Sequence, residues 1–314
     1  MHATPLPFQV GDPVQHRGIV VTPLFPRQDP VARYVTLDAG LSRGLTITVT
    51  SEDGTVPELA VGNPTDDDVL LYDGEELVGG KQNRILDVNV LVAARTTLTI
   101  PVACVEQGRW HAVSKSFAPA RHISNAELRR RKAAALADAP LARGAAQETV
   151  WASVHELSER MGVRSPTRAH RDVFLAREHE LASLEPAFEV EPRQCGVVLG
   201  LGDELCLDAV SRPDAFALLW PKLRAGYLLD ALERLDGRPT ETKRVLGFLD
   251  EVAEAPVVRR PSIGRGSELH LRGPGVLGSG VELDGETVQL SGFTAEGERG
   301  RTVGRIARPS RRSV

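Results

Sequence analysis

Two short stretches of this chain carry more polar and charged side chains than a β-rich segment needs in order to fold. The first runs from Asp73 to Arg84 and reads Asp-Gly-Glu-Glu-Leu-Val-Gly-Gly-Lys-Gln-Asn-Arg, and the second runs from Cys104 to Trp110 and reads Cys-Val-Glu-Gln-Gly-Arg-Trp. Glycines allow close approach of the backbone, carboxylates accept protons, amides and cations donate hydrogen bonds, and tryptophan offers a stacking face. These two stretches, the first and second polar strings, predict a ligand site.

The first string places four polar residues directly after a glycine pair. On an extended segment Lys81 and Asn83 share one face, and Gln82 and Arg84 share the other. Lys81 and Arg84 suit a phosphate or a carboxylate, which predicts that all four residues bind ligand. The alternatives are a solvated edge strand and, for the glycines, a bulge.

The acids of the first string follow the turn signal Asp73-Gly74, a dipeptide favoured in tight hairpins. Glu75 and Glu76 are therefore either two exposed acids or, if one points inward near Lys81, a general acid or base. Glu75 is the residue assigned to that catalytic role.

The second string adds Glu106 as a further catalytic candidate. A carboxylate on the inward face of a strand must be paired, and Arg84 or Arg109 is the expected partner. Cys104 shares that face and is interpreted as a buried thiol rather than a nucleophile. Gln107, Arg109 and Trp110 complete the predicted ligand-binding set, with Trp110 either stacking on a ring or capping the core. Four further polar residues follow the second string at wider spacing, and this spacing matches no nucleophile motif; they are His111, Ser114, Lys115 and His122.

The amino-acid composition and net charge limit the kinds of partner that this protein can bind. Of 314 residues, 41% are hydrophobic and 25% charged, and the net charge of −4 argues against a nucleic-acid binder. Residues 299–314 are rich in arginine and are predicted to form a disordered basic tail. The three cysteines have no zinc-site spacing, so no metal ligand is assigned, and they indicate a reducing, cytoplasmic setting. No apolar run approaches the ~20 residues that cross a bilayer.

The elements that must position the polar strings change in type along the chain. Alternating β-branched runs from Tyr34 to about Phe117 predict an antiparallel sandwich. Ser124 begins an apparent capping box before a helix that carries Arg129 to Lys132 on a solvated face. Further helices are predicted from Gln147, from Ser165-Pro166, from Pro213 to Leu235 with a break at Pro221, and from Thr240. Hairpins are predicted at 196–210 and 280–290. The class is therefore α+β, with a β-rich region 1–123, a mixed region 124–298 packed on it, and the tail.

The two polar strings, with several later segments, resemble a bacterial and archaeal domain family named for its association with ADP-ribosylglycohydrolases and rhodanese-phosphatase proteins. The resemblance extends from Gly18 to Phe293. Its later segments are Gln147–Trp151, Ser165-Pro166-Thr167, Pro221-Lys222-Leu223 with Tyr227, and the hairpin 280–293. Gln289 stands where the resemblance leads us to expect a histidine.

The resemblance implies a place in NAD and ADP-ribose metabolism. The expected function is an enzyme, a hydrolase or transferase, acting on an ADP-ribose-like nucleotide-sugar phosphate. Lys81, Arg84 and Arg109 would hold phosphates and Trp110 would stack on a ring. Glu75 or Glu106 would transfer a proton or help to hold a divalent metal such as Mg²⁺. The competing expectation is a non-catalytic module that binds such a ligand or a partner protein.

Overall fold

The computed structural model describes residues 6–50, 57–138 and 143–295. These residues form an α+β fold with extensive antiparallel sheets, which confirms the predicted class. The arginine-rich tail 299–314 lies outside the described residues, as does Asp53-Gly54, a dipeptide that predicts a tight hairpin turn. No helix in the described ranges is both long enough and apolar enough to span a membrane.

The described strands and helices have the following bounds. The strands are β1 (Phe8–Val10), β2 (Val14–His16), β3 (Ile19–Pro26), β4 (Val35–Thr36), β5 (Thr46–Val49), β6 (Glu58–Asn63), β7 (Val69–Leu71), β8 (Glu75–Gly79), β9 (Arg84–Leu86), β10 (Val90–Val92), β11 (Thr96–Cys104), β12 (Phe117–Ile123), β13 (Gly196–Leu201), β14 (Glu204–Val210), β15 (Val257–Pro261), β16 (Ser267–Arg272), β17 (Val276–Leu283) and β18 (Glu286–Thr294). The helices are α1 (Leu37–Ser42), α2 (Ala126–Asp138), α3 (Arg143–Arg160), α4 (His170–Ala176), α5 (Glu178–Leu184), α6 (Pro213–Ala231) and α7 (Thr242–Glu254), with a 3₁₀ turn at Glu185–Ala187.

The largest sheet joins the early and late parts of the chain. Its order is β1-β3-β13-β14-β18-β17-β16-β15, with β2 also paired to β3, and its pairings are antiparallel. The predicted hairpin at 196–210 forms its centre. Helices cover both faces there: Leu199 belongs to one core with Trp220 of α6, and Val198 belongs to another with Phe248 of α7. Neighbouring residues point to opposite faces, so β13 is buried throughout.

Two smaller sheets share a core and give the predicted sandwich-like arrangement. One has the order β10-β7-β4, and the other has the order β12-β8-β9-β11-β6-β5. Leu71 and Val90 of the first sheet share that core with Leu86 of the second. Ile85 points to the opposite face and packs against the α2–α3 hairpin. The polar strings thus lie in a sheet that is covered on both sides.

Asp73-Gly74 forms a turn, although not within a hairpin. The Glu75 N–H donates to the Tyr72 carbonyl at 3.1 Å, and Gly74 has a φ of +82° that favours glycine. The turn connects β7 of the three-stranded sheet to β8 of the six-stranded sheet. By contrast, Asp284-Gly285 joins the paired strands β17 and β18 as predicted.

Three helix predictions are wrong in their details. At the start of α2 the Ser124 hydroxyl has no hydrogen-bond partner, and the Asp230 carboxylate accepts the Glu127 N–H at 2.9 Å instead. α4 begins at His170 rather than at Ser165, because Arg168 adopts a φ of +53° that interrupts a helix. α6 continues through Pro221 because the surrounding positions are buried, and that packing outweighs the about 3 kcal/mol cost of an internal proline.

The basic face of α2 is buried, so the prediction of a solvated face is wrong for Arg129 and Lys132. Arg129 donates two hydrogen bonds of 2.7 Å to Asp208 in β14 and is fully buried. Lys132 contacts Asp73 and donates to the Leu86 carbonyl at 2.6 Å. These cations are buried because carboxylates from β14 and from the β7–β8 turn meet them there.

Candidate functional site

The glycine pair of the first string forms a loop that other residues could not adopt without strain. Gly79 has a φ of +151°, and a Cβ there would lie 2.5 Å from the Ser116 carbonyl oxygen. Gly80 has a φ of +55°, and its Cβ would lie 2.7 Å from the Phe117 ring. The loop therefore returns tightly from β8 to β9 and brings residues 81–83 beside the end of β11.

The structure brings the two polar strings together. Cys104 and Arg84 are opposite each other in the β9–β11 pairing. Beyond that pair the Val105 N–H donates to the Asn83 carbonyl at 3.1 Å, and the Asn83 N–H donates to Glu106 Oε2 at 3.1 Å. Hydrogen bonds of the backbone therefore join the end of the first polar string to the start of the second.

Arg109 is the partner of Glu106, one of the two that the sequence allowed. Arg109 Nη2 lies 2.6 Å from Glu106 Oε2, and both side chains are buried. Burial alone would raise the pKa of Glu106, but the hydrogen bonds from Arg109 and Asn83 outweigh burial and lower that pKa. Arg109 also donates to the Gly80 carbonyl at 2.8 Å and to Asn83 Oδ1 at 3.0 Å. The guanidinium therefore holds both strings in one loop arrangement.

The other predicted ligand-binding residues differ in their accessibility. Arg84 is buried and donates to Gln82 Oε1 at 3.1 Å, and burial lowers the pKa of Arg84. Lys81 and Gln107 are partly exposed, and Gln107 Oε1 accepts a 3.1 Å hydrogen bond from Arg168. Trp110 is 67% exposed, so it does not cap the core.

Glu75 lies apart from Glu106 and contacts a different set of residues. Its Oε1 accepts from Lys222 at 3.0 Å, and its Oε2 accepts from the Tyr72 N–H at 3.0 Å. Lys222 also contacts Asp38. Burial raises the pKa of Glu75, although Lys222 opposes this shift. Glu75 is therefore buried in an ion pair with α6, which excludes the alternative of an exposed acid.

A second group of buried ionisable residues centres on Glu76, which points away from Glu75 as strand alternation requires. Glu76 Oε2 lies 2.9 Å from His122 Nε2 on β12 and 3.2 Å from His170 Nδ1 at the start of α4. Burial alone would raise the pKa of Glu76, but the two histidines outweigh burial and lower it to about 2. Burial lowers the pKa of His122. We call Glu76, His122 and His170 the buried triad.

The buried triad is linked to the polar strings and to α2. Asn83 Nδ2 donates to Glu76 Oε1 at 3.2 Å, and the His170 N–H donates to the Val105 carbonyl at 2.9 Å. On the other side His170 Nε2 lies 3.2 Å from Asn125 Oδ1. The ligand atoms of the triad all lie within 4.8 Å of one another, a spacing that could hold a metal ion.

Sequence reasoning missed this triad. The sequence indicates for Glu76 only an exposed acid or, near Lys81, a general acid or base; it places His122 in a cluster without a motif and does not single out His170. The one available signal was the alternation in β8, which places Glu75 and Glu76 on opposite faces. The approach of β12 and α4 to that strand is a tertiary feature that spacing along the chain does not encode.

Two sizeable cavities lie away from most of these groups. A cavity of about 750 Å³ is lined by the N-terminal segment and the β17–β18 turn and contains Arg27, Arg33 and Glu286. A cavity of about 350 Å³ between α2 and β16–β17 contains Asp87 and other buried polar groups. Of the two polar strings, only Asp73 lines either cavity, so neither cavity is formed by the residues predicted to bind ligand.

Comparisons with known proteins place the chain in a family. No curated protein and no solved structure matches it. The family model described as the ARG and Rhodanese-Phosphatase-superfamily-associated Protein domain matches residues 7–293. That match covers nearly the whole chain and includes both polar strings and the buried triad, and the chain therefore belongs to this family.

Proposed function

We propose that this protein is an enzyme that acts on an ADP-ribose-like nucleotide-sugar phosphate at the surface formed by its polar strings. The observation that carries the proposal is the junction of the two strings, in which Arg109 connects the glycine loop to Glu106 and is followed in sequence by an exposed tryptophan. The name of the family, which refers to ADP-ribosylglycohydrolases, supports the choice of ligand class.

Three loops form the surface, which we call the loop cluster and define as residues 79–83, 107–116 and 163–169. The Val113 N–H donates to the Gly80 carbonyl at 3.0 Å, and the Gly108 N–H donates to the Thr167 carbonyl at 2.7 Å. The loops are therefore fixed to one another by backbone hydrogen bonds. Such mutual support suits a site whose side chains must hold a defined geometry.

The exposed side chains of the loop cluster match an anionic ligand that carries a ring. Trp110 offers an open face for an adenine base, since an aromatic ring stacks on any base. Lys81, Lys115 and Arg168 are partly or fully exposed and can contact phosphates. Arg84 and Arg109 are bound to protein atoms, so in this proposal they shape the loop and the exposed cations contact the ligand. The compartment consistent with this function is the cytoplasm.

Glu106 is the proposed proton-transfer group of this site. It lies one residue from the partly exposed Gln107 and is held in its charged form by Arg109 and by the Asn83 N–H. A carboxylate in that state can accept a proton from a water or hydroxyl nucleophile. Hydrolysis or transfer at the ribose or at the diphosphate is the reaction class that such a base serves.

The test combines ligand binding with product analysis. Thermal unfolding with ADP-ribose should show a stabilisation that grows with concentration, reaching about 2.7 kcal/mol at one hundred times the dissociation constant. Trp110→Ala and Arg168→Ala should weaken binding, whereas Arg238→Ala, at an exposed arginine on the helix α7 side, should not. No stabilisation by millimolar ADP-ribose, ADP or ribose 5-phosphate would refute the ligand class.

A non-catalytic binding module is the second candidate, and a specific observation favours it. Glu106 and Arg109 are saturated by each other and by neighbouring protein groups, as expected for residues that only support a loop. Chromatographic analysis of ADP-ribose incubated with wild type and with Glu106→Gln separates the two functions. Turnover lost in Glu106→Gln with binding retained supports the enzyme, and binding without turnover in wild type supports the module.

A further inference from the structure

We propose that Glu76, His122 and His170 bind a divalent transition-metal ion. This inference does not depend on the identity of the substrate or on catalysis at the loop cluster. It rests on the donor set, on the distances between the donor atoms, and on the hydrogen bonds and ring packing that orient the ligands.

The donor set consists of two imidazoles and one carboxylate. The Glu76 Oε2 atom lies 2.9 Å from His122 Nε2 and 3.2 Å from His170 Nδ1, and the three atoms lie within 4.8 Å of one another. Two ligands bound tetrahedrally to zinc at about 2.0–2.1 Å are about 3.3 Å apart. The two distances from Glu76 Oε2 to the histidine nitrogens are close to that value, so small shifts of the rings would make room for an ion.

Hydrogen bonds fix the orientation of His170. Asn125 Nδ2 donates to Asp230 Oδ1 at 2.6 Å, so Asn125 Oδ1 must be the atom that faces His170 Nε2. A carbonyl oxygen accepts, and the His170 Nε2 therefore carries the proton. Nδ1 is then the ring atom left to bind an ion, and it lies 3.2 Å from Glu76 Oε2. A ring nitrogen at that position is placed as a metal ligand of this site must be, beside the carboxylate that would share the ion.

The Glu76 carboxylate is oriented by a parallel set of contacts. Arg109 Nη2 donates to Asn83 Oδ1 at 3.0 Å, which leaves Asn83 Nδ2 to donate to Glu76 Oε1 at 3.2 Å. One carboxylate oxygen is thereby occupied, and the other faces both histidines. Amide contacts of this kind support two of the three ligands, as is usual in protein metal sites.

Aromatic packing holds the histidine rings in place. The Phe174 ring stacks on His122 with centroids 3.7 Å apart and an interplanar angle of 12°, and it meets His170 edge-on at 5.1 Å. Phe174 lies on α4, one turn after His170. Bound metal would thus tie α4 to β8 and β12, so loss of the ion should loosen the α4 contact with the sheet.

The ligand chemistry selects the class of metal. Imidazole with carboxylate suits zinc, ferrous iron and similar first-row ions, whereas Mg²⁺ and Ca²⁺ prefer oxygen ligands alone. None of the three cysteines belongs to the triad. A site that selects zinc or iron over magnesium is therefore expected, with no sulfur ligand.

The experiment measures metal binding directly in the full chain. Protein stripped with a chelator is titrated with Zn²⁺, with Fe²⁺ under anaerobic conditions, and with Mg²⁺, by calorimetry and by elemental analysis after desalting. One equivalent of zinc or iron should be retained and magnesium should not. Glu76→Gln and His170→Ala should each weaken binding at least 100-fold, and Asn125→Ala about 10- to 100-fold, as for residues that orient a ligand.

A control variant and a second measurement keep the test decisive. His155 and Glu159 form an exposed histidine–carboxylate pair at 3.4 Å on α3, and His155→Ala should leave affinity unchanged. If the triad variants fail to fold, X-ray absorption of zinc-loaded wild type decides the matter, because it should show two imidazoles, oxygen and no sulfur. Retention of less than about half an equivalent by wild type, a sulfur ligand, or equal affinity in folded Glu76→Gln would each overturn the proposal.

Discussion

Replacing Arg129 with methionine tests the buried charge network that joins α2 to the large sheet. The Asp208 carboxylate accepts two hydrogen bonds of 2.7 Å from Arg129, one of 2.6 Å from Tyr72 and one of 2.6 Å from Ser291, and it also contacts Tyr227. Both charged side chains are fully buried. Methionine fills much of the same volume, so the variant mainly removes the charge and two donors.

The expected cost follows from what Arg129→Met leaves behind. Asp208 would remain buried with hydroxyl donors but no cation, and removal of one partner from a buried pair costs about 3–5 kcal/mol. A comparison pair is available in Arg17 and Asp236, which lie 2.6 Å apart with side chains 44% and 65% exposed. Because water screens that pair, Arg17→Met should cost no more than about 1 kcal/mol.

The assay is equilibrium unfolding in urea at pH 7.5, followed by circular dichroism and tryptophan fluorescence. Arg129→Met, Asp208→Asn and the double variant form a cycle, in which the double variant should be more stable than the sum of the single effects predicts, by at least about 2 kcal/mol. The reasoning is refuted if Arg129→Met costs no more than Arg17→Met, or if the two single effects add within about 0.5 kcal/mol.

Two further predictions concern the single residues Asp87 and Gly79. Burial raises the pKa of Asp87 to about 6, above its unfolded value of about 3.9, so the folded state loses stability as the pH rises from about 4 to about 6. Asp87→Asn removes this loss. The difference in the free energy of unfolding between the variant and wild type, measured in urea, should therefore favour the variant by about 1–3 kcal/mol more at pH 8 than at pH 4. A difference that does not change with pH contradicts the argument. Gly79→Ala should cost at least about 2 kcal/mol more than Gly202→Ala in the same assay, because a Cβ at Gly202, also at positive φ, meets nothing within 4 Å. If the two variants lose the same free energy of unfolding, the backbone near Gly79 can move to accept a Cβ, and the argument is wrong.

The strands could be predicted because the chain alternates apolar and polar residues over short runs. The alternating run Leu45–Val49 contains β5, and the Asp284-Gly285 turn joins the strands that flank it. The same logic also identified both polar strings and the two arginines able to pair with Glu106. Sequence patterns are sufficient to predict a strand or a turn where neighbouring residues alone determine it.

The remainder depends on contacts between distant segments. Arg129 reads as a solvated residue because nothing near it in sequence reveals that Asp208 lies opposite. His170 sits after a segment with helix-start signals, and only the left-handed backbone at Arg168 moves the start of the helix to His170 itself. Buried ionisable groups are stabilised by partners brought together in the folded state, so single-sequence reasoning underestimates them.

The pairing of β3 with β13 has a consequence for how the protein is made. Ile19 lies opposite Leu201, and Leu24 lies opposite Gly196, so this edge of the early hairpin has no partner until most of the chain has been synthesised. At about 5–20 residues per second, the interval is on the order of 10 s or longer. During that time an apolar strand edge is open to pairing with other nascent chains. Production of this protein should therefore benefit from slow induction and from chaperones that shield β3 until β13 has been synthesised.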